Sequence, residues 1–144
     1  MAFSTKYGAA LGDHARGRTA SSMGSTWLAA YVGAIDLSST AHAVTNEASY
    51  SGYARVACGT GGSSIFSAAS TSTGTATNPG TVNFPANGSG SSVTITGVAI
   101  VDSASGAGTV RMGWSLVSPQ TYAPGEQPNF TASMLSDTFS NLNA

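Results

Sequence analysis

Glycine and proline interrupt this chain so often that it can form only short secondary-structure elements. No stretch longer than about ten residues keeps the 3.6-residue hydrophobic period of an amphipathic helix. The interruptions include GTGG at 59–62, PANGSG at 85–90 and APGEQP at 123–128. Glycine permits positive φ angles and proline removes a backbone donor, so these segments predict turns and loops. Short strands between such loops are typical of a β-sandwich, a jelly roll or a barrel, and we predict an all-β fold.

The segments between the loops predict strands, and two of them predict a β-hairpin. Residues 93–102 and 109–116 alternate in polarity and are joined by a loop of small residues at 103–108. In the second strand, apolar residues occupy every second position from Val110 to Leu116, so we expect them to share one core-facing side. The other predicted strands cover 26–35, 53–58, 64–69, 81–84 and 129–135, and 70–92 is expected to be a long loop with one short edge strand. The predicted core residues are Trp27, Tyr31, Val110, Met112, Trp114, Leu116 and Phe130.

The first 25 residues differ from the rest of the chain in charge. Residues 5–15 fit one short helix, with an extended arm as the alternative. Three of the five Lys and Arg residues lie in the first 18 positions, close to a histidine. Such a cluster is typical of a solvated terminus, or of a basic arm that docks on an acidic neighbouring subunit. The second interpretation makes these residues candidate contacts: Lys6, His14, Arg16 and Arg18.

Charged residues make up only 8% of the chain, against about 25% in an ordinary soluble domain. The net charge is −1, so the surface must consist mostly of small polar and apolar residues. Such a surface suits a protein that packs against neighbours in a lattice, a fibre or a shell, although secreted lectins and adhesins share it. Broad nucleic-acid binding needs a concentrated basic face, and a pI near 6.0 argues against one.

The single cysteine and the apolar runs bear on the compartment. Cys58 alone cannot form an intramolecular disulfide. The N-terminal sequence lacks an apolar segment of signal-peptide length, and no apolar run approaches the length of a bilayer span. We therefore expect a protein made in the cytoplasm, with neither a membrane nor nucleic acid as a direct partner.

Catalytic and metal-binding patterns are sparse. Cys58 with His42 is a conceivable thiol nucleophile pair, but a lone cysteine ending a strand is more often a small buried hydrophobe. No Cys/His cluster has metal-ligand spacing, and no G-x-S-x-G elbow is present. A hydrolase would need a histidine-centred site that the sequence does not contain. We expect no enzymatic activity, no cofactor and no metal.

Several short motifs, taken in order, resemble a family of small tailed-phage virion proteins. These are a strand at 26–35, YSGYARVA at 50–57, TVNFP at 81–85, the hairpin strands, and a "P-T---G--P-F" segment that begins at Pro119. Proteins of this family are often labelled tail-fibre proteins and are similar to the cement or decoration proteins of phage heads. The resemblance spans about residues 26–136, while 1–25 and 36–48 match no part of it.

The resemblance implies a jelly-roll-type β-sandwich on the outside of a phage particle. It divides the chain into an N-terminal arm or short helix (1–25), a sandwich domain (26–136) and a C-terminal tail (137–144). The function we expect is that of a capsid cement protein, which binds the capsid exterior and bridges major capsid subunits. Its expected partners are the major capsid protein and itself, as a homodimer or homotrimer. The alternative is a tail-fibre or receptor- or glycan-binding module.

Overall fold

The chain folds into antiparallel β-strands in the computed structural model, which describes residues 2–3, 25–38, 44–59, 64–68, 70 and 75–138. No helix occurs among these residues, so the all-β prediction is confirmed. None of the described segments is thus a helix long and apolar enough to cross a membrane. The predicted helix at 5–15 lies outside the described residues. The strands are β1 (Ala2–Phe3), β2 (Trp27–Tyr31), β3 (Val56–Ala57), β4 (Thr75–Thr77), β5 (Val82–Asn83), β6 (Val93–Val101), β7 (Val110–Tyr122), β8 (Asn129–Phe130) and β9 (Ser136–Thr138).

The predicted hairpin forms the centre of a five-stranded sheet. β6 and β7 pair antiparallel across the loop at 103–108, and the strand order is β1-β7-β6-β2-β3. β2 pairs with β6 along its full length, from Trp27 opposite Val101 to Tyr31 opposite Gly97. The second half of β6, from Gly97 to Val101, is apolar on both faces and almost fully buried, which explains why this strand lies at the centre of the sheet.

A second layer covers one face of this sheet, as in a β-sandwich. The strand pairs β4–β9 and β5–β8 and their adjoining loops supply Val82, Phe84, Phe130 and Leu135 to the main core. We call the sheet side that they cover the aromatic face, because large rings pack on it. Its buried residues from the sheet are Leu28, Ala30, Ile95, Val98, Met112, Trp114 and Tyr122.

The opposite side of the sheet carries small residues, and we call it the small-residue face. Ala29, Ala99 and Gly113 lie there with Tyr31 and Val101. The chain after β2 folds back over this face, and Ile35 and Leu37 pack on it. A Cβ placed on Gly113 would lie 3.1 Å from two carbon atoms of Ile35. The absence of a side chain at this position therefore makes the room that Ile35 occupies.

A β-bulge reverses the alternation at the start of β7. Ile100 pairs with Met112 and Val101 pairs with Val110, which leaves Arg111 as the extra residue. One extra residue moves all that precedes it to the other face of the sheet. Val110 is consequently buried on the small-residue face, whereas Met112 and Trp114 are buried on the aromatic face. The prediction that the four apolar residues from Val110 to Leu116 share one face is wrong for Val110.

The other predicted core residues differ in how deeply they are buried. Tyr31, Met112, Trp114 and Phe130 are buried. Trp27 is half-buried and packs against the small-residue face, and Leu116 is half-buried and packs against the aromatic face.

Several predicted strands are shorter than the sequence pattern indicates. The segment predicted to be a strand at 64–69 consists of bends and irregular backbone where it is described, at 64–68. The loop predicted at 70–92 contains two strands, β4 and β5, where one was expected. β4 pairs with β9 and β5 pairs with β8, and both partners lie far along the chain. The pattern of neighbouring residues therefore does not predict these short strands.

Candidate functional site

The contact residues predicted at the N-terminus cannot be placed. Lys6, His14, Arg16 and Arg18 lie outside the described residues. The boundaries at 25/26 and 136/137 stay predictions. The chain segments at these two ends do contribute strands, since β1 pairs with β7 and β9 pairs with β4.

The candidate nucleophile, Cys58, lies in the core. Its side chain is buried, and burial raises the pKa of the thiol. A nucleophilic cysteine needs the opposite shift, because the thiolate is the reactive form. His42 lies outside the described residues. Across the part of the chain that the structure describes, no three metal-ligating side chains come together.

A buried ion pair is the main concentration of charge in the described fold. Arg55 and Glu47 side chains are only 2% and 9% exposed. The guanidinium donates to both carboxylate oxygens, from Nε to Oε1 at 2.7 Å and from Nη2 to Oε2 at 2.6 Å. This two-point geometry is the strong form of an arginine–carboxylate pair. The hydrogen bond with Glu47 is the largest cause that raises the pKa of Arg55, which keeps the guanidinium charged.

Arg55 also holds the tip of the β6–β7 hairpin. Its Nη1 donates to the carbonyl oxygen of Ser103 at 2.8 Å, and Nη2 donates to that of Gly106 at 2.8 Å. Gly106 adopts a positive φ of 61°, a conformation suited to glycine. The side chain therefore joins the segment at 47–55 to the hairpin loop, and we call this group the arginine clamp: Glu47, Tyr53, Arg55, Ser103 and Gly106.

Tyr53 completes the clamp and replaces a missing strand partner. Its hydroxyl donates to Glu47 Oε1 at 2.8 Å and accepts from the backbone N–H of Ala30 at 3.0 Å. β3 pairs only with the first two residues of β2, so the N–H of Ala30 has no β3 carbonyl opposite it. Burial is the main cause that raises the pKa of Tyr53, and the hydroxyl stays a neutral donor.

A cleft of about 330 Å³ lies beside the clamp. Its walls include Tyr50, Ser49, Ala54 and Ser105 in addition to clamp residues. The Tyr50 hydroxyl donates to the carbonyl oxygen of Pro85, and the charged atoms of Arg55 and Glu47 bind each other. A ligand in this cleft would have to displace hydrogen bonds that hold the fold together. The cleft is therefore better explained as a packing feature than as a catalytic site.

Two buried asparagines bond the backbone of distant loops, and the sequence did not predict them. Asn78 and Asn87 are fully buried and lie before and after β5 in the chain. Asn78 donates from Nδ2 to the carbonyl oxygens of Gly80 and Thr131, each at 2.8 Å, and accepts from the N–H of Leu135. It thereby ties the β4–β5 turn to the segment that follows β8.

Asn87 makes an equivalent set of bonds at the other end of β5. Its Nδ2 donates to the carbonyl oxygens of Ser91 and Tyr122, and its Oδ1 accepts from the N–H of Ser89. The two asparagines bracket the two-residue pair β5–β8 and supply hydrogen bonds that a longer ladder would supply. Each precedes a turn sequence, Pro-Gly or Gly-Ser, and that was the available signal.

An exposed bulge in β7 is the candidate interaction surface. Ile95 pairs with Gln120 and Gly97 pairs with Ser115, so residues 116–119 stand opposite Thr96 alone. Val117 in this segment is fully exposed. We call residues 116–119 the β7 bulge. Bulges re-aim side chains and are common beside functional sites, and Pro119 in an apparent strand was the signal for one.

The family comparison accounts for the whole described fold. A family model, the podophage GP4 fiber I protein gp80, matches residues 2–138, from β1 to β9. The chain belongs to this family. Comparison with curated proteins gives no match. The podophage fiber family supports a phage virion protein, as the resemblance implied, and it places the chain among structural, fibre-like proteins of the virion.

Proposed function

We propose that this protein is a structural subunit of a phage fibre and that it works by binding other protein subunits. The observation that carries the proposal is the extent of the family match, which covers the complete sandwich and both strands near the chain ends. The clamp and cleft support it, because the buried charges are bonded to one another and hold loops in place. We propose equally that the protein is not an enzyme.

The partner that we propose first is a second copy of this chain. A fibre repeats its subunits, and a net charge of −1 with 8% charged residues gives copies little reason to repel one another. The β7 bulge offers a fully exposed valine, Val117, which is followed by Ser118 and Pro119. We propose that Val117 is desolvated in the contact between copies.

Copy number per virion tests the proposal directly. Purified particles are digested, and peptides of this protein and of the major capsid protein are quantified by mass spectrometry against labelled standards. A few to a few dozen copies per particle are expected for a fibre subunit. A count in the hundreds, near that of the major capsid protein, would overturn the fibre assignment.

A head cement protein is the second candidate, and the cross-tied loops favour it. The arginine clamp and the buried side chains of Asn78 and Asn87 restrain the loops of a small domain. Such restraint suits a protein that stabilises a capsid against internal pressure. Its partner would be the major capsid protein on the capsid exterior. A ligand that binds only the assembled shell stabilises that state, and a few kcal/mol per copy, from about 25 cal/mol per Å² of apolar burial, would multiply over many sites.

The basic N-terminal arm is the proposed contact with a neighbouring subunit in either assembly. The double substitution Arg16→Ala with Arg18→Ala removes two of the five Lys and Arg charges of the chain. We expect lower incorporation into particles, measured by the same quantitative mass spectrometry. Unchanged incorporation would contradict the arm contact and would leave the copy-number result unaffected. Binding of the isolated protein to a glycan array would instead support a receptor-binding module.

A further inference from the structure

Asn87 is the one asparagine of the sequence that precedes glycine. In an Asn-Gly pair, the backbone nitrogen of glycine can attack the side-chain amide carbon of asparagine with little steric hindrance. The reaction needs a flexible backbone, because the attacking nitrogen must approach the side chain of the preceding residue. The folded position of this pair therefore decides whether the reaction occurs.

The fold holds this pair in an unreactive arrangement. Asn87 is fully buried, and its side chain makes the three hydrogen bonds described above. The attacking group is occupied too, since the N–H of Gly88 donates to the carbonyl oxygen of Ser51 at 2.9 Å. The Asn87 backbone is fixed by two further hydrogen bonds. Its N–H donates to the carbonyl oxygen of Glu126, and its carbonyl oxygen accepts from the N–H of Gly125.

The same contacts explain why a reactive sequence is present at this position. A Cβ on residue 88 would lie 2.8 Å from the carbonyl oxygen of Ser51, which is backbone and cannot move aside easily. Residue 87 must donate to two carbonyl oxygens and accept from one N–H. Asparagine meets that requirement and aspartate does not, since an ionised carboxylate only accepts.

We propose that Asn87 is a deamidation site whose reaction is gated by opening of the segment 87–91. In the opened segment, the Gly88 nitrogen forms a bond to Asn87 Cγ, the Cγ–Nδ2 bond breaks, and ammonia leaves with the proton lost by the Gly88 nitrogen. The product is a succinimide. Water then opens the ring at either carbonyl, which gives aspartate or isoaspartate at residue 87. No atom is oxidised or reduced in either step.

The product prevents the segment from closing again. A carboxylate at residue 87 would face the carbonyl oxygens of Ser91 and Tyr122 with no proton to donate to them. Isoaspartate would also lengthen the backbone by one carbon at a residue held on both sides. Each opening that ends in deamidation is thus irreversible. The fraction of chains that carry aspartate or isoaspartate at residue 87 therefore rises with the time that the segment has spent open.

Asn78 is a matched control within the same chain. It is as buried as Asn87 and is held by the same kinds of hydrogen bond. Pro79 follows it, however, and the proline nitrogen carries no hydrogen to lose. Asn78 is therefore expected to remain an amide even in the unfolded chain.

Peptide mass mapping of the full chain during incubation at mildly alkaline pH tests the proposal. Samples are held without urea, below the unfolding midpoint and above it. Conversion at Asn87 is expected to rise at least about tenfold from the first condition to the last, because the opened segment changes from a minor to the dominant state. Conversion at Asn78 is expected to stay at background. Equal rates at Asn87 in folded and unfolded protein would overturn the gating.

The consequence of the reaction is tested separately with two variants. Asn87→Asp reproduces the aspartate product of the reaction. Asn78→Asp makes the same chemical change at the control asparagine. The urea midpoint of Asn87→Asp is expected to fall below that of the unmodified protein, and protection of the Gly88 N–H from hydrogen exchange is expected to be lost. An unchanged midpoint and full protection would show that the segment recloses, which contradicts irreversibility. If Asn87→Asp does not fold, wild-type protein that has deamidated during storage supplies the exchange measurement.

Discussion

The two faces of the five-stranded sheet are built on different principles. On the aromatic face, rings from distant loops meet, and Phe84 packs edge-to-face on Phe130 with ring centres 6.0 Å apart. On the small-residue face, Gly113 and Ala99 let the side chain of Ile35 approach the sheet backbone. Stability on the first face follows from the apolar area that large side chains bury. On the second face, the available space is the limit, because packed interiors do not absorb an extra methyl group.

The largest expected effect comes from removing a ring on the aromatic face. Phe84→Ala should lower the free energy of unfolding by about 3–5 kcal/mol, since Phe84 is fully buried and contacts both Phe130 and Tyr53. Urea denaturation followed by fluorescence measures it. Phe84→Leu keeps most of the volume and should be less damaging. Equal losses for the two variants would mean that ring volume does not determine stability on this face.

A smaller loss is expected from adding one methyl group to the other face. Gly113→Ala should lower the free energy of unfolding by about 1–3 kcal/mol, because the new Cβ would lie 3.1 Å from two Ile35 atoms. The double variant with Ile35→Ala should lose less free energy of unfolding than the sum of the losses of the two single variants. Gly88→Ala is the matched control, since its Cβ would lie 2.8 Å from the carbonyl oxygen of Ser51, which Ile35→Ala does not move. Simple additivity in both double variants would contradict a space limit set by Ile35.

The tyrosines of both faces predict a further, pH-dependent loss. Burial raises the pKa of Tyr50, on the aromatic face, to about 12 and raises the pKa of Tyr31, on the small-residue face, above its usual range. Both phenols ionise near pH 10 in the unfolded chain, about the unperturbed value. Above that pH the unfolded chain binds fewer protons than the folded chain. The contribution of these groups to stability is thus complete below about pH 10 and is lost as the pH rises toward 12.

Thermal unfolding across this alkaline range checks the sign. The melting temperature should begin to fall just above about pH 10, and phenolate absorbance should appear together with unfolding. Tyr50→Phe removes one of the titrating groups and should make the pH dependence shallower, even though the variant loses its hydrogen bond to Pro85. A melting temperature that stays level through this range would contradict the burial of these phenols.

The smallest effect on stability is expected at Val117 of the β7 bulge, whose side chain packs on neither face. Val117 is fully exposed, so Val117→Ser should change the free energy of unfolding by less than about 0.5 kcal/mol. The same change at buried Val98 should be strongly destabilising and serves as the control. If the bulge is a contact between copies, Val117→Ser should reduce self-association, measured by analytical ultracentrifugation. An associated protein that is indifferent to this change would exclude Val117 from the contact.

Local patterns in the sequence predict the parts of the fold that depend on neighbouring residues. The hairpin loop at 103–108 and the all-β class follow from alternation and from small residues at turns. The face on which Val110 lies does not, because the extra residue Arg111 is defined only by its partner strand. A strict period of two has no means of registering such an insertion.

Candidate-site residues were harder to predict, because their partners are far along the chain. Arg55 bonds to a carbonyl oxygen 48 residues away, and Asn78 bonds to one 53 residues away. The low charge predicted a protein that packs against neighbours, and the resemblance predicted a phage virion protein, which the family match supports. Neither observation holds information on such pairings. The arginine lay within the GYAR motif of the family resemblance, which drew attention to the segment without giving its role.

The arginine clamp also provides a path by which force crosses the domain. A β-hairpin is closed covalently at its tip, so a pull on the tip does not separate the two strands but draws the loop away from the groups bonded to it. Here Arg55 fastens that tip to the segment at 47–55 through two carbonyl oxygens, and Glu47 anchors the arginine by two more bonds. The loop at 103–108 can therefore lift away from the segment at 47–55 only when these bonds break. A pull on the hairpin tip is thus carried into a segment about 50 residues away in the chain, and the load is shared between two parts of the fold.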